Sequence, residues 1–144
     1  MVALLENQGH SVEVDKNGKE AVAAALVQNG IRILADSRIA NIRRIRNAGI
    51  QAEFLLLRTP LPSQAETVVK YTEISLNSEL SVIKSLSMSA MKRHTKHKII
   101  LMVELGDLRE GVMPADVDVT IKEVLGLKGI ELAGIGTNLA CFGG

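Results

Sequence analysis

The chain has 144 residues, 47% of them apolar and 2% aromatic, so it can bury one domain-sized core, and an aliphatic one. Seventeen basic residues against 16 acidic leave a formal net charge of +1. That balance excludes a phosphate-backbone binder, which needs a clustered basic surplus. With no Trp, and Phe54, Tyr71 and Phe142 as the ring side chains, a base-stacking nucleic-acid platform is excluded too.

Residues 12–16 (VEVDK) read as a weak first strand, followed by an Ala-rich helix over 18–29. IRILADS at 31–37 is an apolar strand ending in Asp and Ser, and IANIRRIRNAG is a helix closed by Gly49. AEFLLLRTP at 52–60 gives the next strand and SQAETVVKY the next helix, with Ser63 and Glu66 spaced as a capping box. EISLNSE at 73–79 precedes a long helix over 80–93, and HKIILMVELGD at 97–107 is the strongest strand. A helix over 115–127 and a strand over 130–140 bring the count to six strands, with no Pro- or Ser-rich linker between them, so a single domain is expected.

FLLL and IILMV are continuously apolar, the pattern of parallel strands covered on both faces. Repeating β/α units restrict the fold to a doubly wound sheet or a (β/α)8 barrel. Most strands end in polar residues: Asp36-Ser37-Arg38, Arg58-Thr59, Asn77-Ser78, Glu104 through Arg109, and Thr137-Asn138. In either fold these ends share one rim, where ligands bind. Asp, Ser and Asn there also serve as helix caps, the better reading for Ser37 and Ser78 taken singly, but Arg58 and Arg109 do not cap and suit anionic groups.

The basic runs at 43–46 and 92–98 read as solvated outer faces. His94 and His97, at the end opposite the rim, read as surface residues, and His10 carries no partner signature. Cys141 stands alone, which excludes an internal disulfide, and no zinc-ligand spacing is present. The N-terminus has no leader pattern, and no apolar run nears the ~20 residues of a membrane span, so a cytoplasmic protein is the expectation.

LADSRIANI, LLLRTP, EISLNSEL, HKIILMVELGDLREGV and KGIELAGIGTNLACFGG together resemble the ornithine racemase group of the alanine racemase N-terminal-domain family. The resemblance runs from about residue 29 to the C-terminus. It implies a (β/α)8 barrel of which about six parallel strands are present, lacking the last two β/α units. It further implies pyridoxal phosphate at the rim, racemisation of a basic amino acid such as ornithine, a fragment inactive alone, and a homodimer when complete; neither nucleic acid nor membrane is a partner. Arg109 is similar to the family arginine at the cofactor's phenolic oxygen, and Asn138 stands at a cofactor-facing position. Asp36, Arg58, Asn77 and Ser78 are further cofactor-site candidates, with Ser37, Arg38 and Glu104 beside them. Lys16, in VEVDK, is the nearest match to the Schiff-base lysine after the first strand.

Two other readings stay open. One branch of the same superfamily binds pyridoxal phosphate without clear turnover. LLENQGHSVEVDKNGKEAVAA is similar to part of a response-regulator receiver domain, in which Asp36 would be the phosphoacceptor, although no acidic pair for Mg²⁺ follows an early strand.

Overall fold

The computed structural model describes residues 18–139, together with the backbone of residues 2–3. Strands Val2–Ala3 (β1), Ile33–Asp36 (β2), Glu53–Leu56 (β3), Ile74–Asn77 (β4), His97–Glu104 (β5) and Ile130–Asn138 (β6) form one sheet in the order β1-β2-β3-β4-β5-β6. Between them lie helices Gly18–Gln28 (α1), Ile39–Asn47 (α2), Ala65–Tyr71 (α3), Leu80–Lys92 (α4) and Val117–Leu125 (α5).

β2 to β6 pair in parallel, each with its chain neighbour. Strict sequential order is that of a (β/α)8 barrel; a doubly wound receiver sheet reverses direction at a switch point. The fold is therefore a partial barrel, and the receiver topology is excluded. Among the described residues the parallel set has five members, and β1 pairs antiparallel with β2, Val2 against Ala35. The strand expected over residues 12–16 lies outside the described residues.

Register decides what each strand face does. Leu34 sits beside Phe54, Leu56 beside Ser75, Ser75 beside Ile99, and Asn77 beside Leu101, so these side chains share one face. That face meets Ile42, Ile45, Val68, Ile83 and Leu86 of the helices in one aliphatic core. Truncating Ile42, Ile45, Ile83 or Leu86 to Ala costs about 2–5 kcal/mol. The other face, with Ile33, Leu55, Leu76 and Ile100, is half-buried.

Two local expectations are corrected. The Ser63–Glu66 capping box does not form; Pro62 opens a 3-10 turn over Pro62–Gln64, and α3 begins after it without a side-chain cap. Arg46 leaves the solvated face assigned to its neighbours: its Nη2 donates to both carboxylate oxygens of Glu73, at 2.5 and 2.7 Å.

That pair ties α2 to the amino-terminal end of the sheet. Glu73 also accepts from the Phe54 backbone N–H at 2.7 Å, and the Arg46 guanidinium lies 4.9 Å from the Phe54 ring centroid. One carboxylate thus satisfies a strand amide and a cation in a single place. Glu73→Ala leaves both without it and should lower stability by about 2 kcal/mol. Urea unfolding at neutral pH checks this; Glu66→Ala, on an exposed position of α3, is the control and should change little.

Candidate active site at the carboxyl ends of the strands

Parallel pairing brings the ends of β2 to β6 to one rim, and the polar residues there divide by face. Asp36 is on the helix side. Its Oδ1 accepts from the Arg38 backbone N–H at 2.7 Å and from Asn41 Nδ2 at 3.0 Å, with Oδ2 3.1 Å from the same amide. Its carboxylate therefore organises the turn into α2. Asp36 is buried, a rim residue whose hydrogen-bonding capacity is spent within its own loop.

Asn77, also buried on the helix side, heads a chain of hydrogen bonds. Its Nδ2 donates to Ser75 Oγ at 2.8 Å and to the Ser75 carbonyl at 3.0 Å. Ser75 Oγ, already accepting, turns its proton to His97 Nε2 at 2.8 Å. His97 is therefore neutral at Nε2, and its ring also bonds the Thr72 backbone. Burial pushes the His97 pKa down from 6.5 to about 4, against the smaller raising effect of the Thr72 bond. The expectation of a surface His97 is corrected: it is 1% exposed, while His94 is on the surface as expected. Asn77 Oδ1 is buried without a hydrogen-bond partner.

On the other face, Glu104 of β5 lies beside Asn138 of β6. The chain after β5 doubles back, with Glu104 N–H donating to the Val112 carbonyl at 2.9 Å and Val112 N–H to the Met102 carbonyl at 2.8 Å. Gly111 makes this return possible. Its φ is +145°, and a Cβ there would stand 2.4 Å from the Glu104 nitrogen. The loop presents Arg109, paired with Asp107, beside a recess of about 230 Å³ that Glu104, Leu108, Glu110 and Gly111 complete.

Glu110 joins three strand ends. It accepts from Thr59 Oγ1 at 3.2 Å, after β3, and from Asn138 Nδ2 at 3.3 Å, at the end of β6. Sequence reading had placed Thr59 and Asn138 on the rim but had not singled out Glu110, although it lies inside the GDLREG segment. Arg58 is exposed on the rim beside a separate cavity, and Ser78 is half-buried at the turn into α4. Lys16 lies outside the described residues.

Three arrangements are thus available at one rim: an arginine with acidic neighbours after β5, an amide anchored through Glu110 at β6, and a buried polar chain behind β4. Among the described residues no group of His, Cys, Asp and Glu could hold a metal ion, and no helix is long and apolar enough to cross a membrane.

The family described as "Alanine racemase, N-terminal domain" matches residues 15–144. The ornithine racemase of Acetoanaerobium sticklandii is 46% identical over 110 residues, covering 76% of this chain and 31% of that protein. The lysine racemase of Thermotoga maritima is 37% identical over 127 residues, covering 88% and 35%. The chain spans about a third of the length of these curated relatives. Among solved structures, an alanine racemase of Clostridium difficile superposes with a TM-score of 0.78 at 25% identity, over 85% of this chain and 33% of that one. PipY of Synechococcus elongatus, solved with PLP bound, gives 0.78 at 18% identity over 90% and 62%, a likeness of fold.

The neutral histidine in the core makes stability depend on pH. The unfolded chain takes up a proton near pH 6.5, whereas folded His97 resists until about pH 4, so acid favours unfolding. The contribution is intact above pH 6.5 and is lost as pH falls toward 4, a span worth on the order of 3 kcal/mol. His97→Gln should be less stable than the parent at pH 7.5 and should close most of that gap by pH 4.5. Chemical denaturation at the two pH values measures it; a gap independent of pH would contradict the assignment.

Proposed function

Because the chain belongs to the alanine racemase N-terminal-domain family, we propose that it forms the cofactor-binding barrel portion of a pyridoxal-phosphate-dependent racemase for a basic amino acid, ornithine or lysine. The observation that carries this reading is the 46% identity to an ornithine racemase over 110 residues. The acidic residues of the loop after β5 support the substrate class. Glu104, Asp107 and Glu110 would give a cationic side chain a negative counterpart. The same kinship supports a homodimer for the complete protein.

The donor set at the rim fits the ring portion of the cofactor. Arg109 is a permanent cation with a planar fork of N–H donors, suited to a phenolate oxygen. Asn138 offers a neutral amide on the uncovered face of β6, held in place by Glu110. When bound, pyridoxal phosphate supplies the electron sink that makes an amino-acid Cα proton removable.

The chain's own residues do the rest. Lys16 Nζ would hold the cofactor covalently and would serve as the base for the Cα proton on one face. Arg109 stabilises negative charge on the ring oxygen, and Asn138 orients the ring. Ser78 lines the rim and Arg58 stands at its outer side, while Asp36 fixes the turn after β2 and Asn77 backs the end of β4 through its bonds to Ser75. Noncatalytic cofactor binding is the second reading; PipY, which shares the fold, was solved with PLP bound.

Reduction of the cofactor-treated protein with borohydride, followed by peptide mass spectrometry, tests the lysine. A pyridoxyl adduct on Lys16 that disappears in Lys16→Ala is the expected result; an adduct on Lys19, or one that survives the substitution, counts against the placement. Arg109→Ala should leave the adduct in place. In a protein completed with the remaining two-thirds of the ornithine racemase, the same change should lower turnover about 10- to 100-fold, the loss of one charge-assisted contact. Chiral chromatography of ornithine and lysine with that completed protein separates the readings: interconversion supports the racemase, and an intact Lys16 adduct without interconversion supports the noncatalytic binder.

A further inference from the structure

A second cavity, of about 280 Å³, opens between the turn from β2 into α2 and the turn from β3 into α3. Leu56, Ile39 and Pro60 give it apolar walls, while Ser37, Arg38, Arg58, Thr59 and Gln64 supply its polar lining. Leu56 belongs to the helix-side face of the sheet, so the cavity sits on the outer side of the rim, away from the uncovered face that carries Glu104 and Asn138.

The chemistry of this cavity is one-sided. Neither the Arg38 nor the Arg58 guanidinium makes a hydrogen bond or ion pair among the described residues, and no carboxylate lines the space. The nearby acids are committed elsewhere: Asp36 to Arg38 N–H and Asn41, and Glu110 to Thr59 and Asn138. α2 starts at this cavity without a side-chain cap, so the first-turn N–H groups of Ile39 and Ala40 have no helical acceptor. Two arginines, the first turn of α2 and a Ser hydroxyl thus border one space of a size suited to the head group of a small molecule.

We propose that this cavity is an anion site for the phosphate or dicarboxylate group of a small metabolite, separate from the place where the cofactor binds. A doubly charged oxyanion matches two arginines; a single neutral group would leave both cations unused. Occupancy would tie the β2 and β3 turns together, and Thr59 connects them through Glu110 to the loop that carries Arg109. The site thus reaches the rim chemistry through one hydroxyl.

The test uses the full 144-residue chain and its Arg38→Gln/Arg58→Gln variant, both cations being exposed side chains. Inorganic phosphate and succinate are titrated separately against a chloride control of equal ionic strength, followed by amide chemical shifts. The expected result is saturable shifts at Arg38, Ile39, Ala40, Arg58 and Thr59, with affinity falling about tenfold or more in the variant. Preference for phosphate or for succinate identifies the source of the anion. A melting curve establishes that the variant is folded, and borohydride trapping reports cofactor binding independently. Shifts that fail to saturate, or equal affinity in a folded variant, would overturn the proposal. Loss of the trapped cofactor together with phosphate would overturn the separateness, making the cavity the seat of the cofactor's own phosphate.

Discussion

Parallel pairing is the constraint from which the rest of this structure follows. A parallel neighbour can be reached only by carrying the chain back across the sheet, and here the crossovers between β2 and β6 do so with helices on one side. Two consequences are unavoidable. The strand residues on the helix side must be apolar or internally satisfied, and every strand must end at the same rim. The aliphatic core of Leu34, Phe54, Leu56, Ile99 and Leu101 meets the first requirement. The second gathers Asp36, Arg58, Asn77, Glu104 and Asn138 without any of them being near the others in sequence.

Ser75, Asn77 and His97 are the exception within that core, and they show how a polar chain is tolerated where apolar packing is the rule. Each donor finds an acceptor in one direction, from the Asn77 amide through the Ser75 hydroxyl to the neutral His97 ring. A charged imidazole would reverse the middle bond and take away the acceptor of the Ser75 proton, besides losing its hydration. The depressed pKa follows from burial, which outweighs the Thr72 backbone bond that favours the charged ring. The unpartnered Oδ1 of Asn77 is the end of the chain where its polarity is left over, close behind the rim.

The β/α alternation was readable because its signals are local. Apolar runs such as FLLL and IILMV carry their own periodicity, and the helices from α1 to α5 fall within a few residues of where the spacing put them. β1 has two residues and its partner is Ala35 and Leu34, far along the chain, so no local pattern could reveal it. The Ser63–Glu66 spacing was a true capping signature overruled by Pro62, whose fixed φ starts a tight turn just before it. His97 was misplaced for a different reason. At the end of the strand opposite the rim it reads as a surface residue, yet strand alternation sends Lys98 to one face and His97 to the helix-covered other. Its satisfying partner, Ser75, is 22 residues away.

Charge at the rim was illegible for the same reason on a larger scale. A net charge of +1 describes a balanced chain, and each rim segment taken alone mixes signs, as in DSR or GDLREG. Folding separates them. Asp36 is drawn back into the α2 turn, which leaves Arg38 and Arg58 as the uncompensated charges of the outer cavity. Glu104 and Glu110 stand with Arg109 around the recess after β5. Thr59 lies on the boundary, lining the cationic cavity while its hydroxyl donates to Glu110. Because a hydroxyl can also rotate to donate to an anion, its proton is the one group at this rim that either side can claim. An oxyanion that captured it would release one oxygen of Glu110, and with it part of the anchor that holds Asn138. Coupling between the two sides of the rim therefore needs no movement of the sheet, only a choice of acceptor by a single side chain.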